Sequence, residues 1–395
     1  MRTALLSAQK RTSEGGLRAD LTLCGRSVLG WQIDLVAELG CERVICLSET
    51  ASPEILLQQH ACEAQGLDFH AIRGSLQLVS LMTADDLLLM VMDGLVVETG
   101  AASRAIGSHN TIASFPKETA ACAESRDDFE LLDGTQCWAG IAKLSGREVS
   151  KLAELPPDSD TFSTLLRLGL QARTRIEELD PAMIDDGDWV LAKEASDLRE
   201  TERNLVAKNV PAIRMSGPML AATGLTISKI APIGLQGGGP VAAVSGLVLL
   251  VGASILGWFG LGVAALVCAA IGALAVAFGD ALIDLKSRIF KASETSKYWQ
   301  YINAIRDALV ALLLVFLAPA FEPAIMVVLT VGMIRLAERS PHAGLRTFWT
   351  DRPLQLALLA IGAVVGGLWL LIAALGLLAM GQNLLQNRKN KITRD

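Results

Sequence analysis

The chain has 395 residues, of which 51% are hydrophobic and only 19% charged, and its mean hydropathy is +0.42; it is too apolar for an ordinary soluble protein, and intrinsic disorder is excluded. The formal charge of −6 hides a split: residues 241–395 carry 13 Lys/Arg against 8 Asp/Glu, and residues 1–240 carry 22 against 33. An acidic polar half excludes nucleic acid as a partner, because a phosphate backbone needs clustered Lys and Arg, while a basic excess in the apolar half suits anionic membrane lipid.

The amino terminus, MRTALLSAQKR, has a short apolar run followed at once by Lys10 and Arg11, the wrong order and length for a signal peptide. Short apolar runs then alternate with helical patterns. Thr3–Ala8 reads as a strand, Ser27–Leu39 as an amphipathic helix closed by Gly40, Arg43–Ser48 as a strand and Pro53–Ala64 as a helix. Asp68–Ile72 reads as a strand, and Leu87–Met92 as a buried strand ending at Asp93. That alternation implies a parallel, doubly wound α/β sheet, with ligands bound beyond the carboxyl ends of the strands, where the loop Gln9–Arg18 and Asp93 fall. Asp85, Asp86, Asp127 and Asp128 read as solvated faces. Residues 187–210 read as a helical linker, and Gly237–Gly239 with Pro240 marks the start of the first span.

No charged residue occurs from Val241 to Gly279 or from Leu354 to Leu385. Six short helices are predicted, over 241–257, 261–285, 299–320, 322–338, 353–367 and 368–386; the last two can also be read as one tilted helix. Lys286, Arg288, Lys291 and Lys297 fall after the second helix, Arg335, Arg339, Arg346 and Arg352 after the fourth, and Arg388, Lys389, Lys391 and Arg394 in the tail. The opposite turns hold no Lys or Arg, so six spans with both termini in the cytoplasm satisfy the positive-inside rule. Asp280, Asp284 and Arg288 recur at four-residue spacing and share one helix face near the cytoplasmic end of the second span. They read either as an interfacial salt-bridge face or as a functional site. The seven cysteines include no C-x-x-C pair and the four histidines are scattered, so zinc is not indicated and a reduced, cytoplasmic half is the simplest reading.

The segment Leu21–Leu47, LTLCGRSVLGWQIDLVAELGCERVICL, resembles the sugar-phosphate and alcohol-phosphate nucleotidyltransferases, whose P-K-P-L-L-P-V-x-G-[KR]-P-[LM]-[LI] stretch leads into the first helix and second strand. The resemblance implies a nucleotidyltransferase-like domain over residues 1–205. The family's Gly-rich phosphate loop corresponds to LSAQKRTSEGG, with Gln9 where the first glycine belongs. Its phosphate-contacting lysine falls at Arg18, and its first magnesium aspartate at Asp93 in LLLMVMDG. The second acid is absent near Trp189 in GDWVLAKE. The residues by themselves leave Asp93 open to being a strand-end turn residue, which Asp-Gly favours, and Ser13–Arg18 to being a surface loop.

The six helices, the preceding domain and the position of Asp280 resemble the CDP-alcohol phosphotransferases, most closely the fused type with an N-terminal cytidylyltransferase domain. That family carries D-x-x-D-G-x-x-A-R-x(8,9)-G-x-x-x-D-x-x-x-D, whose four aspartates bind two metals. Aligned on Arg288, Asp280 is the first aspartate, Ile283 replaces the second and Asp284 replaces the glycine. WQYINAIRDAL (Trp299–Leu309) places Trp299 and Asn303 at the third and fourth, and keeps Asp307.

The expected architecture is an α/β doubly wound nucleotidyltransferase-like domain over 1–205, a linker or juxtamembrane helix over 206–240, and an all-α polytopic membrane domain over 241–395. By the resemblance it dimerises through that membrane domain in the cytoplasmic (inner) membrane. Two functions follow. As an enzyme it transfers a phospho-alcohol from a CDP-alcohol to an acceptor alcohol in phospholipid or phospho-polyol biosynthesis. Asp280, Asp284 and Asp307 are then catalytic, Arg18 and Arg288 bind phosphate, and Asp93, Asp280 and Asp284 hold Mg²⁺ or Mn²⁺. As a degenerate homologue it is a partner or regulatory subunit of an active enzyme. Two divalent ions about 3.5–4 Å apart need several carboxylates to offset their repulsion, and Asp280 with Asp284 supplies two.

Overall fold

The computed structural model describes residues 1–50, 52–119, 122, 128–156, 159–209, 217–235, 237–290, 296–338 and 343–392. Asp127, Lys291, Arg339 and Arg394 lie outside the described residues. The chain forms two compact units, Met1–Glu202 and Arg203–Asp395.

In unit 1 the apolar runs become β1 (Arg2–Ser7), β2 (Arg43–Leu47), β3 (Asp68–Ile72) and β4 (Leu87–Val91). They alternate with α1 (Val28–Glu38), α2 (Pro53–Ala64) and α3 (Ser75–Leu81). β1, β2 and β4 are largely continuous apolar runs, as expected where helices cover both faces of a sheet, whereas the edge strand β3, DFHAI, alternates; Leu5, Leu6, Ile45 and Leu89 are at most 1% exposed. Each such burial is worth roughly 1.5–3 kcal/mol. The helices begin where a side-chain oxygen meets a free N–H: Ser27 Oγ accepts from Gly30 N and Ser52 Oγ from Ile55 N, with Pro53 in the first turn.

Beyond the predicted strands lie α4 (Thr99–Ile106), β5 (Thr111–Pro116), β6 (Gln136–Ser145), α5 (Thr161–Gln171) and β7 (Arg175–Glu178), and the full sheet order is β7-β5-β6-β4-β1-β2-β3. All neighbours are parallel except β6, which is antiparallel to both β4 and β5. The order reverses direction at β1, between β2 and β4, and Leu6 pairs with Val91 there. The loop after β1 and the turn after β4 therefore emerge side by side at the switch point.

Two expectations change in this unit. Cys122 and Cys137 are paired as a disulfide with Cα atoms 6.7 Å apart, where no pairing is expected from the sequence; pairing residues 15 positions apart leaves no local sequence signature. The acids also differ from one another. Asp85 is exposed, but Asp86 and Asp128 are buried, Asp86 accepting hydrogen bonds from Thr83 N and Oγ1 and pairing with the amino terminus.

Unit 2 contains α6 (Pro218–Gly234), α7 (Gly238–Trp258), α8 (Gly262–Ile289), α9 (Ser296–Phe316), α10 (Phe321–Ala337), α11 (Ala343–Thr350), α12 (Arg352–Val364) and α13 (Leu368–Ile392). Each of the six predicted helices forms, and the last two are separate: Gly366 takes φ +78° and Gly367 N closes the end of α12 on Gly362 O at 2.7 Å. Among the described residues, four helices are long and apolar enough to cross a membrane: Gly238–Trp258, Gly262–Ile289, Tyr298–Phe316 and Leu368–Leu385. The 17 residues of α10 and the 13 of α12 are shorter; at about 1.5 Å per residue α12 spans about 20 Å of a hydrocarbon layer about 30 Å thick. Six complete spans are therefore not shown.

Helices α7 and α8 approach at glycines. A Cβ on Gly246 would lie 2.5 Å from Gly272 O, and one on Gly279 2.6 Å from Gly239 O; small residues at such contacts are what allow apolar helices to pack in lipid. Aromatic rings mark the helix ends. Trp258 packs edge-on against Phe316 at 5.2 Å, Phe259 and Phe321 are exposed at the same two turns, and Tyr298 and Tyr301 are exposed at the start of α9, a placement that suits membrane interfaces. Asp351 is fully buried and serves two helix starts at once, accepting from Leu354 N of α12 at 3.1 Å and from Met219 N of α6 at 3.1 Å.

Candidate functional site

In unit 1 the loop after β1 folds back on itself. Arg11 bridges Leu17, Thr12 N donates to Gly16 O, Gly15 N to Thr12 O and Arg18 N to Lys10 O, with Gly15 at φ +88°. Three further amides point at carboxylates: Gln9 N and Lys10 N each donate to Asp93 Oδ2 at 2.7 Å, and Ser13 N to Glu194 Oε1 at 2.6 Å. A phosphate-wrapping loop needs its N–H groups free; here six of them are given to protein acceptors.

Asp93 stands in the turn after β4, 2% exposed. Gly94 follows at φ +79°, where a Cβ would meet Ala192 O at 2.5 Å. From α1, buried Gln32 braces the turn by donating to Met92 O and Leu95 O. Burial pushes the Asp93 carboxyl up to about 6, against the lowering effect of the Lys10 and Gln9 amides and the charges of Arg18 and Lys10. Its Oδ1 is buried with no hydrogen-bond partner among the described residues. Asp93 is thus a clamp on the loop with one unspent acceptor atom.

Arg18, the expected phosphate contact, is brought together with two lysines and held by an acid. Arg18 Nη1 and Lys10 Nζ reach Asp128 Oδ1 at 2.7 and 2.6 Å, and Lys193 Nζ reaches Asp128 Oδ2 at 3.3 Å. Burial works against ionising Asp128, yet the Lys10 and Arg18 hydrogen bonds and charges outweigh it and hold the carboxyl below its usual range. Nothing in the sequence pattern marks Asp128, Lys193 or Glu194 as site residues. Lys193 and Glu194 arrive because Trp189–Leu191 pairs antiparallel with Leu95–Val97, immediately after Asp93 and Gly94, a long-range pairing that periodicity cannot reveal. Trp189, where the second acid is missing, is core: its Nε1 donates to Ala139 O and its ring packs edge-on against Phe115.

In unit 2 Asp284 and Arg288 form an i,i+4 pair at 2.9 Å, each half exposed, and Asp280 lies one turn earlier within electrostatic reach of Arg306 on α9. Asp307 belongs elsewhere. Its carboxylate takes Arg335 Nε at 2.6 Å, Arg306 Nε at 2.9 Å and Arg352 Nη2 at 3.1 Å, and Glu338 pairs with Arg335 and Arg352. Three guanidiniums thus face two carboxylates, and Asp307 is the centre of a buried ion network. Asp307, Arg352 and Gln355 are also the main polar part of the lining of an open cleft whose other walls are largely aliphatic, with Leu314 and Leu359 among them.

The donor set does not fit the two divalent ions that the resemblance implies. Among the described residues no three His, Cys, Asp or Glu side chains converge as a metal site; Asp284 and Asp307 are engaged by arginines, and Asp93 has one oxygen committed to two amides.

No protein-family model and no curated protein matches the sequence. Among solved structures, the chain is similar to UDP-glucose pyrophosphorylase from Acinetobacter baumanii at 10% identity, covering 53% of this chain and 94% of that one with a TM-score of 0.38. It is also similar to the inositol-1-phosphate CTP transferase from T. maritima at 10% identity, covering 46% of this chain and 86% of that one with a TM-score of 0.34. At these values neither likeness carries an inference about activity; what unit 1 can bind follows from its own strand order and side chains.

Proposed function

We propose that this is a membrane protein of CDP-alcohol phosphotransferase-like architecture, with a nucleotidyltransferase-like domain, that binds a phosphorylated or nucleotide ligand in a partner or regulatory role. The carrying observation is the commitment of its charges. The cations suited to phosphate, Lys10, Arg18 and Lys193, share one internal carboxylate, and Asp284 and Asp307 each hold arginine. A transferase would have to break these pairs before using any of them, whereas binding needs only one to exchange. In this reading the apolar helices sit in the cytoplasmic membrane with both termini inside, as a homodimer, and residues 206–240 connect the two parts.

A second reading keeps the transfer itself: the pyrophosphate bond of a CDP-alcohol breaks, the acceptor alcohol forms the new phosphodiester and CMP leaves, with Asp280, Asp284, Asp307 and Arg288 at the reacting end. Its support is a set of buried atoms without protein partners among the described residues, Trp299 Nε1 and Asn303 Oδ1 at two of the motif positions and Asp93 Oδ1 in unit 1. Buried polar atoms normally find a partner, which a bound substrate would supply in this reading.

The test is a melting titration of the full chain in nanodiscs with CDP, with and without Mg²⁺ or Mn²⁺, beside the Asp280→Ala/Asp284→Ala variant. CDP stabilisation that needs no metal, survives in the variant and is unaccompanied by CMP release from a CDP-alcohol supports the binding role. Metal-dependent stabilisation lost in the variant, with CMP released, supports the transferase and overturns the first reading.

A further inference from the structure

Three cations within hydrogen-bond reach of one carboxylate is an arrangement proteins otherwise present to a phosphate, whose oxygens accept several charge-assisted bonds at once. Lys10 comes from the loop after β1, Arg18 from the end of that loop, and Lys193 from the segment after Trp189–Leu191; all three converge on Asp128 at 2.6 to 3.3 Å. Asp128 is not carried there loosely. The next residue, Phe129, is 3% exposed in the core of unit 1, Trp138 N donates to Glu130 O at 2.7 Å, and Leu131 bridges Cys137. The backbone on its carboxyl side is therefore pinned to β6, and Asp128 is 9% exposed. Arg18 Nε remains buried without a partner among the described residues, so one carboxylate does not exhaust the donors it faces.

We infer that Lys10, Arg18 and Lys193 form a single phosphate subsite and that Asp128 is its built-in counter-ion, which a ligand phosphate must displace to bind. The inference rests on the reading that unit 1 takes a phosphorylated ligand, and adds to it a fixed internal competitor. An internal carboxylate contributes one negative charge at an effective concentration no free ligand matches, so weakly charged or monodentate ligands are rejected. Only a group with more charge and more acceptor oxygens, such as a phosphate dianion or a pyrophosphate, gains by the exchange. The competitor also keeps three like charges from repelling one another when no ligand is present, a repulsion that low local dielectric would amplify.

The experiment is calorimetric titration of the full chain in neutral-lipid nanodiscs with inorganic phosphate and, separately, with CDP, comparing wild type, Asp128→Asn and Asp128→Asn/Arg18→Gln. Asp128→Asn should bind both probes at least about tenfold more tightly than wild type, since the exchange no longer has to displace the Asp128 charge, and the Arg18→Gln change should abolish the gain. Equal or weaker binding by Asp128→Asn overturns the inference, since Asp128 would then be positioning the cations rather than competing for them. A gain for phosphate but not for CDP upholds the counter-ion and removes the nucleotide reading; tight CDP binding by wild type, unimproved in Asp128→Asn, does the reverse. If Asp128→Asn unfolds in phosphate-free buffer, phosphate must restore its folding in proportion to concentration, and failure of that rescue also overturns the inference.

Discussion

Replacing Asp307 with Asn tests whether the ion network of unit 2 is held together by that one carboxylate. Asp307 accepts from three arginines on three different helices, Arg306 on α9, Arg335 on α10 and Arg352 at the start of α12. Without its charge, three guanidiniums face Glu338 alone. Removing one partner of a buried ion pair costs about 3–5 kcal/mol, because the charges left behind stay desolvated, and the same loss is expected here. A second change, Arg306→Gln, returns the network to one excess positive charge, as in the wild type, and should recover at least about 2 kcal/mol of the loss; contacting residues in one network are not additive. The assay is denaturant unfolding in nanodiscs read by far-UV circular dichroism, which follows the helices that the network joins. A single variant that loses less than about 1 kcal/mol, the scale of a solvated surface pair, or a double variant as unstable as the sum of the two single changes, refutes the account.

The raised Asp93 carboxyl, at about 6 against about 3.9 when unfolded, contributes stability that is complete below about pH 4 and is lost as pH rises through about 6, about 3 kcal/mol in all. Asp93→Asn keeps an oxygen for the two amides, so hydrogen exchange of β1 and β4 should be slower than wild type at about pH 7.5 and equal at about pH 4; a difference independent of pH contradicts the cause assigned. Gly246→Ala should cost about 1–3 kcal/mol by overpacking α7 against α8, while Gly252→Ala, whose Cβ meets nothing within 4 Å, should be neutral or slightly stabilising in the same unfolding assay. Asp351→Ala removes the acceptor of two helix starts and should lower stability by about 1–3 kcal/mol, with faster exchange in both 217–222 and 352–357; a change confined to one segment shows that the helices do not share the cap.

Local order is legible in the amino-acid pattern alone. Apolar runs bounded by Gly40, Ser52 and Pro53 mark strands and helix starts because capping and turn preferences act over a few residues, and the helices read at 53–64 and 241–257 lie within about three residues of Pro53–Ala64 and Gly238–Trp258. Uncharged length likewise identifies the apolar helices, since the cost of burying charge in lipid is read residue by residue. The strands at 111–116, 136–145 and 175–178 escape that reading: they lie beyond the alternating pattern, and β6 runs against it.

The amino-acid pattern sufficed to mark the segments that form the first four strands and the apolar helices, and to put Asp93 and the loop after β1 beyond the carboxyl ends of the strands; their meeting at the switch point follows from the strand order. What the charges do depends on contacts between distant parts of the chain. Asp128 meets Arg18 across 110 residues and Lys10 across 118, and Asp307 meets Arg352 across 45. An ion pair depends on distance in space and on exclusion of water, and neither is encoded in the spacing of residues along one element.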